Sequence, residues 1–155
     1  MTFSLTSPVF EDGGAIPEKY TRDGQNVSPP LKWKDPPKDA KSFVLVVEDP
    51  DAPRGTFRHW AVYDIPSVVT ELWENATKHG MGERLCQGVN DFGNPHYDGP
   101  EPPHGHGVHH YHFRLAALSV GKIDVAQGAT VAEIWAAAEP HVIAVAELVG
   151  TYERG

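Results

Sequence analysis

Residues 97–115, YDGPEPPHGHGVHHYHFRL, constrain the fold more than any other stretch, because a loop that cannot be helical runs straight into a strand-period pattern. Pro100, Pro102 and Pro103 fix φ and withhold amide donors, while Gly99, Gly105 and Gly107 permit backbone shapes and close approaches that a side chain would block. From His109 the apolar residues recur every second position. His109, Tyr111, Phe113 and Leu115 therefore share one strand face, and His110, His112 and Arg114 share the other. The first set is predicted to point inward and the second to meet solvent.

The rest of the chain agrees with a β-rich domain. Residues 43–47, FVLVV, are apolar on both faces and predict a central strand over 42–48. Weak alternation at Phe3 and Leu5 predicts an edge strand in the first ten residues, and Leu31 to Lys34 a short strand holding Trp33. A further strand is expected over 59–65, with His59, Ala61, Tyr63 and Ile65 on one side and Pro66 ending it. Residues 67–96 read as mostly loop; Val68, Leu72 and Trp73 allow one helical turn at most, closed by Gly80-Met81-Gly82. Thr130-Val131-Ala132-Glu133 is a capping-box pattern, followed by an apolar stripe at Val131, Ile134, Trp135 and Ala138 and stopped by Pro140. The one substantial helix is thus expected near 130–139, with Trp135 buried on the sheet, before a last strand over 143–152. Fourteen prolines and fifteen glycines, scattered as turn signals, point the same way: all-β, in one domain spanning 1–155.

Charge and chain-end patterns exclude several partners. A formal charge of −8, with no clustered basic patch, would repel a phosphate backbone and speaks against nucleic acid. The apolar runs are too short for a membrane span, the first ten residues lack a signal-peptide pattern, and Cys86 is the single cysteine. A cytoplasmic protein without intrachain disulfides is expected.

Three features carry candidate chemistry. DPDAP at 49–53 places the Asp49 and Asp51 carboxylates at the mouth of the central strand, in a frame stiffened by Pro50 and Pro53; the plain alternative is an Asp-rich turn. The tightness of that frame raises the expectation of a cis bond at Pro53. His59 opens its strand at the same end of the sheet, and His109 with Tyr111 supplies inward polarity there. A few polar groups in an apolar frame are how small-molecule pockets are built. Nine histidines also invite a metal reading, but alternation turns His109 away from His110 and His112, so no metal or other cofactor is assigned. No Gly-x-Ser-x-Gly or comparable nucleophile motif is present.

In their order and spacing DPDAP, the His59-Trp60 pair and YDGPEPPHGHGVHHYHF, with Gly107, His109 and Tyr111 as a Gly-x-His-x-Tyr core, resemble the phosphatidylethanolamine-binding protein family in its compact bacterial, Raf-kinase-inhibitor-like branch. The resemblance runs from NVSPPLKW at 26–33 to the final strand. It implies a β-sandwich of antiparallel sheets with a Greek-key element and one or two short helices, holding a small anion-binding pocket at one end. The implied pocket residues are Asp49, His59, His109 and Tyr111, with Asp51, Pro53, Pro102 and Pro103 shaping the rim. The chain departs from the family pattern at His110, where Arg is usual, and in its extra histidines at His104 and His106.

The function expected is non-enzymatic binding of a phosphate- or carboxylate-bearing small ligand. Two alternatives remain beside it: a protein that regulates a kinase or protease through its surface, and an enzyme using the Asp/His set as acid and base. Association as a homodimer is left open.

Overall fold

The computed structural model describes residues 2–76 and 85–155. Its strands form two antiparallel sheets packed face to face. The smaller has the order β1-β2-β5, built from Ser4–Thr6 (β1), Leu31–Lys34 (β2) and Glu71–Leu72 (β5). The larger has the order β6-β4-β3-β7-β8, built from Cys86–Gln87 (β6), Phe57–Pro66 (β4), Ser42–Asp49 (β3), His109–Leu118 (β7) and Val142–Tyr152 (β8). The chain leaves β4, visits the small sheet as β5, rejoins the large sheet as β6 beside β4 and then enters as β7 on the far side of β3, so that β6-β4-β3-β7 forms the Greek-key element.

β3 is central because it is covered twice. Phe43, Leu45 and Val47 pack into the core between the sheets with Trp33, Leu72, Phe113 and Leu115. Val44 and Val46 pack on the opposite face against Ala61, Ala116, Leu118 and the single α-helix among the described residues, Val131–Ala138 (α1). These five β3 side chains are 0–2% exposed, each fully buried aliphatic contributing about 1.5–3 kcal/mol. α1 begins as its sequence dictates: the Thr130 hydroxyl accepts from the Glu133 amide at 3.2 Å, and the Glu133 carboxylate accepts from the Thr130 amide at 2.9 Å. Val131, Ile134 and Ala138 are buried, but Trp135 is only half-buried, its ring lying 5.6 Å from the Arg114 guanidinium. The helix is eight residues long and packs over β3 and β4 through Val131, Ile134 and Ala138, so only part of the stripe is covered.

Two further expectations are corrected. The strand over 59–65 does not keep His59, Ala61, Tyr63 and Ile65 on one side. Between Phe43/Leu45 and between Val47/Glu48 the β3–β4 register slips, with one extra β4 residue at each place. Trp60, Val62 and Ile65 consequently face the inter-sheet core while Ala61 and Tyr63 face the helix side. Asp64 sits in the second bulge at φ 53°, and its carboxylate accepts from the Ile123 amide at 3.0 Å. Leu72 makes no helical turn; it is paired to Leu31 in the small sheet, where its side chain fills the core. The proposed stop at Gly80-Met81-Gly82 lies outside the described residues. No helix among them is long and apolar enough to cross a membrane.

Candidate functional site

β3 is antiparallel to both of its neighbours, so its C-terminal end meets the N-terminal ends of β4 and β7 at one end of the sandwich. That brings Asp49, His59, His109 and Tyr111 together from three strands around a cavity of about 230 Å³. Pro53 and Pro103 complete the predicted part of its wall.

Each imidazole is oriented by an acceptor. His109, 2% exposed, sets its Nδ1 2.6 Å from Asp49 Oδ2, and its Nε2 lies 2.6 Å from His106 Nδ1. Asp49 uses its other oxygen to accept from the Asp51 amide at 2.9 Å, which holds the turn after β3. His59 Nδ1 lies 2.8 Å from the Asp98 carbonyl; a carbonyl only accepts, so this nitrogen carries the proton and Nε2 carries the lone pair in the neutral ring. Burial pushes His59 below the ordinary histidine range, against the pull of the Asp98 carbonyl and the Asp49 charge. Its ring meets Tyr111 edge-on at 5.3 Å and Phe92 at 5.7 Å. The Tyr111 hydroxyl is buried and makes no hydrogen bond of ordinary geometry, although the Asp49 carboxylate lies close enough to act on it. Burial and then the nearby Asp49 charge raise its pKa, so it stays a protonated donor.

A second shell of polar groups fixes the loop that closes the cavity. The Asp98 carboxylate accepts from the side-chain amides of Asn26 (2.8 Å), Asn90 (2.9 Å) and Asn94 (2.8 Å), and from Arg22 Nη1 at 3.1 Å. Burial alone would raise the Asp98 carboxyl; these donors hold it below the usual carboxylate range. Gly99 follows, and a Cβ there would collide with the Tyr20 carbonyl, so the loop can lie against residues 20–21 only with glycine at this position. Arg22 also reaches the rim, where Nε donates to Glu101 Oε2 at 2.9 Å and the guanidinium covers the Phe92 ring at 4.3 Å.

The same architecture recurs in known proteins. The family model for phosphatidylethanolamine-binding protein matches residues 6–153. This chain belongs to the phosphatidylethanolamine-binding protein family. A UPF0098 protein of Aquifex aeolicus is 46% identical over 145 residues, 94% of this chain and 85% of that one. One from Pyrococcus horikoshii is 48% identical over 151 residues, 96% and 75% of the two chains. Among solved structures, Escherichia coli YbcL, described as a new member of the mammalian PEBP family, superposes with a TM-score of 0.92 at 34% identity over 100% of both chains. A Chlamydia trachomatis PEBP homologue does so with a TM-score of 0.87 at 40% identity over 99% of both.

Membership of the family leaves the placement of individual residues to the geometry. Asp51 and Pro102 of the predicted rim, and Gly107 of the Gly-x-His-x-Tyr core, do not line the cavity. Asp51 faces outward, where Oδ2 accepts from the His110 amide and lies 2.8 Å from His110 Nδ1. Pro102 is buried beneath the loop, its carbonyl toward Arg154. Gly107 shapes the backbone, at φ 92°. The cis bond expected at Pro53 is absent: the turn closes with a trans bond and a 3.0 Å hydrogen bond from the Gly55 amide to the Ala52 carbonyl, Gly55 at φ 105° providing the tight bend instead. Four lining residues were not anticipated, namely Ala52, Phe57, Phe92 and Glu101. The loop histidines are engaged separately: His110 with Asp51, His112 3.4 Å from Glu147, and His106 with His109. Among the described residues no three histidine, cysteine or carboxylate side chains converge as a metal site would require.

Proposed function

We propose that the chain is a non-enzymatic binding protein for a small phosphate- or carboxylate-bearing ligand held in the cavity between Asp49, His59, His109 and Tyr111. The observation that carries this reading is the Tyr111 hydroxyl, a buried donor without an acceptor in a cavity wall. An unsatisfied buried hydroxyl costs about 1–3 kcal/mol, and a bound oxyanion supplies the missing acceptor. Asp49 does not forbid an anion, because it is already engaged by His109 and by the Asp51 amide. The free thiol of Cys86 suits a cytoplasmic setting.

The test is a titration with inorganic phosphate and with a phosphate monoester on alanine variants at positions 109, 110, 111 and 112. His109→Ala and Tyr111→Ala are expected to lose binding while His110→Ala and His112→Ala retain it. Equal loss in all four would refute the assignment.

A further inference from the structure

The exposed His106 has its Nδ1 2.6 Å from the Nε2 of His109, and the two rings meet at 61° with centroids 4.8 Å apart. The contact continues inward to Asp49, so Asp49, His109 and His106 form one chain of hydrogen-bonding groups from a buried carboxylate to an exposed imidazole. Two facing nitrogens at this distance hold one proton between them: two lone pairs would repel and two N–H groups would collide. One further proton can be added without breaking the contact, at His106 Nε2, and its charge is then shared by the two rings.

From this we infer that His106, which does not line the cavity, acts on it as a positioning residue through His109, and that entry of an oxyanion draws one proton from solvent onto the His106–His109 pair. The inference rests on the anion reading above. The surrounding charges favour it. Asp51, in the turn after β3, is engaged by His110, and Glu101, in the loop, by Arg22. Asp49 has only His109 as a group able to become cationic among its ion-pair partners. His59 on β4 is held neutral by burial, and Tyr111 on β7 stays protonated. Tyr152 stands opposite His109 on β8, its hydroxyl donating to Asp23, and Arg154 is likewise paired to Asp23. His104 turns toward the Gly155 carbonyl. An incoming anion therefore meets the Asp49 carboxylate, which has no permanently charged cation among its ion-pair partners, and a proton on the pair is the local means of offsetting charge there. The turn is built to present His106: Gly105 and Gly107 flank it at φ 71° and 92°, and the His106 amide bonds the Pro103 carbonyl at 3.2 Å.

Sulfate is the discriminating probe, since it matches phosphate in shape and carries no titratable proton near neutrality. Calorimetry at pH 7 in two buffers of different ionisation enthalpy should show uptake approaching about one proton per sulfate bound. His106→Gln, an exposed substitution, should abolish that uptake and weaken binding about tenfold, while His110→Gln changes neither. Uptake that survives His106→Gln overturns the inference. So does binding of phosphate without sulfate, which would put the proton on the ligand. A ligand-free NMR titration of the ring nitrogens separates this failure from that of the anion reading. The two rings should follow one shared curve that His106→Gln alters at His109, and independent curves overturn the pair. Failure of both anions to bind would bring down the anion reading and the coupling with it, whatever the rings do.

Discussion

His109 and His110 are neighbours in the chain, and each meets an aspartate of the same DPDAP turn at nearly the same distance, 2.6 Å for Asp49 and 2.8 Å for Asp51. The inner pair is 2% and 5% exposed, the outer 51% and 41%. Distance does not separate them; the medium does. In water two charges 4 Å apart attract by about 1 kcal/mol, and several-fold more where the effective dielectric falls to about 20. Water can also replace either outer partner at once, whereas loss of an inner partner strands a polar group in the wall of the cavity. One turn thus supplies a site component and a surface clasp, and the strand alternation at 109–110 decides which is which.

The largest effect expected is from Asp49→Ala. Removing the buried partner of His109 should destabilise the protein by about 3–5 kcal/mol in urea unfolding, and a change below about 1 kcal/mol would erase the distinction between the pairs. The next concerns acid. Since burial lowers His59 in the folded state, the unfolded chain binds its proton more readily. Stability from this residue is full above about pH 6.5 and is lost as the pH falls below it, by up to about 1.4 kcal/mol per pH unit. His59→Gln should flatten the stability curve between about pH 6.5 and 5, and an unchanged slope would mean that His59 is not held neutral.

Tyr111→Phe should stabilise the ligand-free protein by about 1 kcal/mol, because it deletes an unsatisfied buried hydroxyl, while weakening phosphate binding. Destabilisation would show that the hydroxyl has a partner before any ligand arrives. The smallest effect belongs to the outer pair: Asp51→Asn should cost less than about 1 kcal/mol and less still in about 1 M salt. Burial acts to raise the Asp51 carboxyl, but hydrogen bonds from His110 prevail and leave it lowered. Its contribution is therefore present above about pH 4 and lost on further acidification, which a stability profile of Asp51→Asn against the parent would reveal.

Much of this was legible in the residues. FVLVV declared a strand covered on both faces, Thr130 and Glu133 declared a helix start, and the alternation from His109 sorted buried from exposed histidines, each through an interaction within a few positions of sequence. Asp49, His59, His109 and Tyr111 could be named because they fall at predicted strand ends beside Pro/Gly loops and because the motifs that hold them resemble those of the family. Phe92, Glu101 and Arg22 carried no such mark. Amides at Asn90 and Asn94 that hold Asp98 look, in sequence, like any solvated loop.

What the sequence determined by itself is therefore local: the periods that sort strand faces, the caps that start a helix, the prolines and glycines that forbid regular structure at 99–107. What only the tertiary structure decided is where those pieces meet. The two register slips in β4 turned His59 and Ile65 away from the face that strict alternation shared with Ala61 and Tyr63. The left-handed glycines around His106 carried an exposed imidazole back onto His109. A bulge adds one residue to one strand and the turn places two glycines in the left-handed region, local changes that the period of the side chains does not encode, and packing across the sheet selects among them.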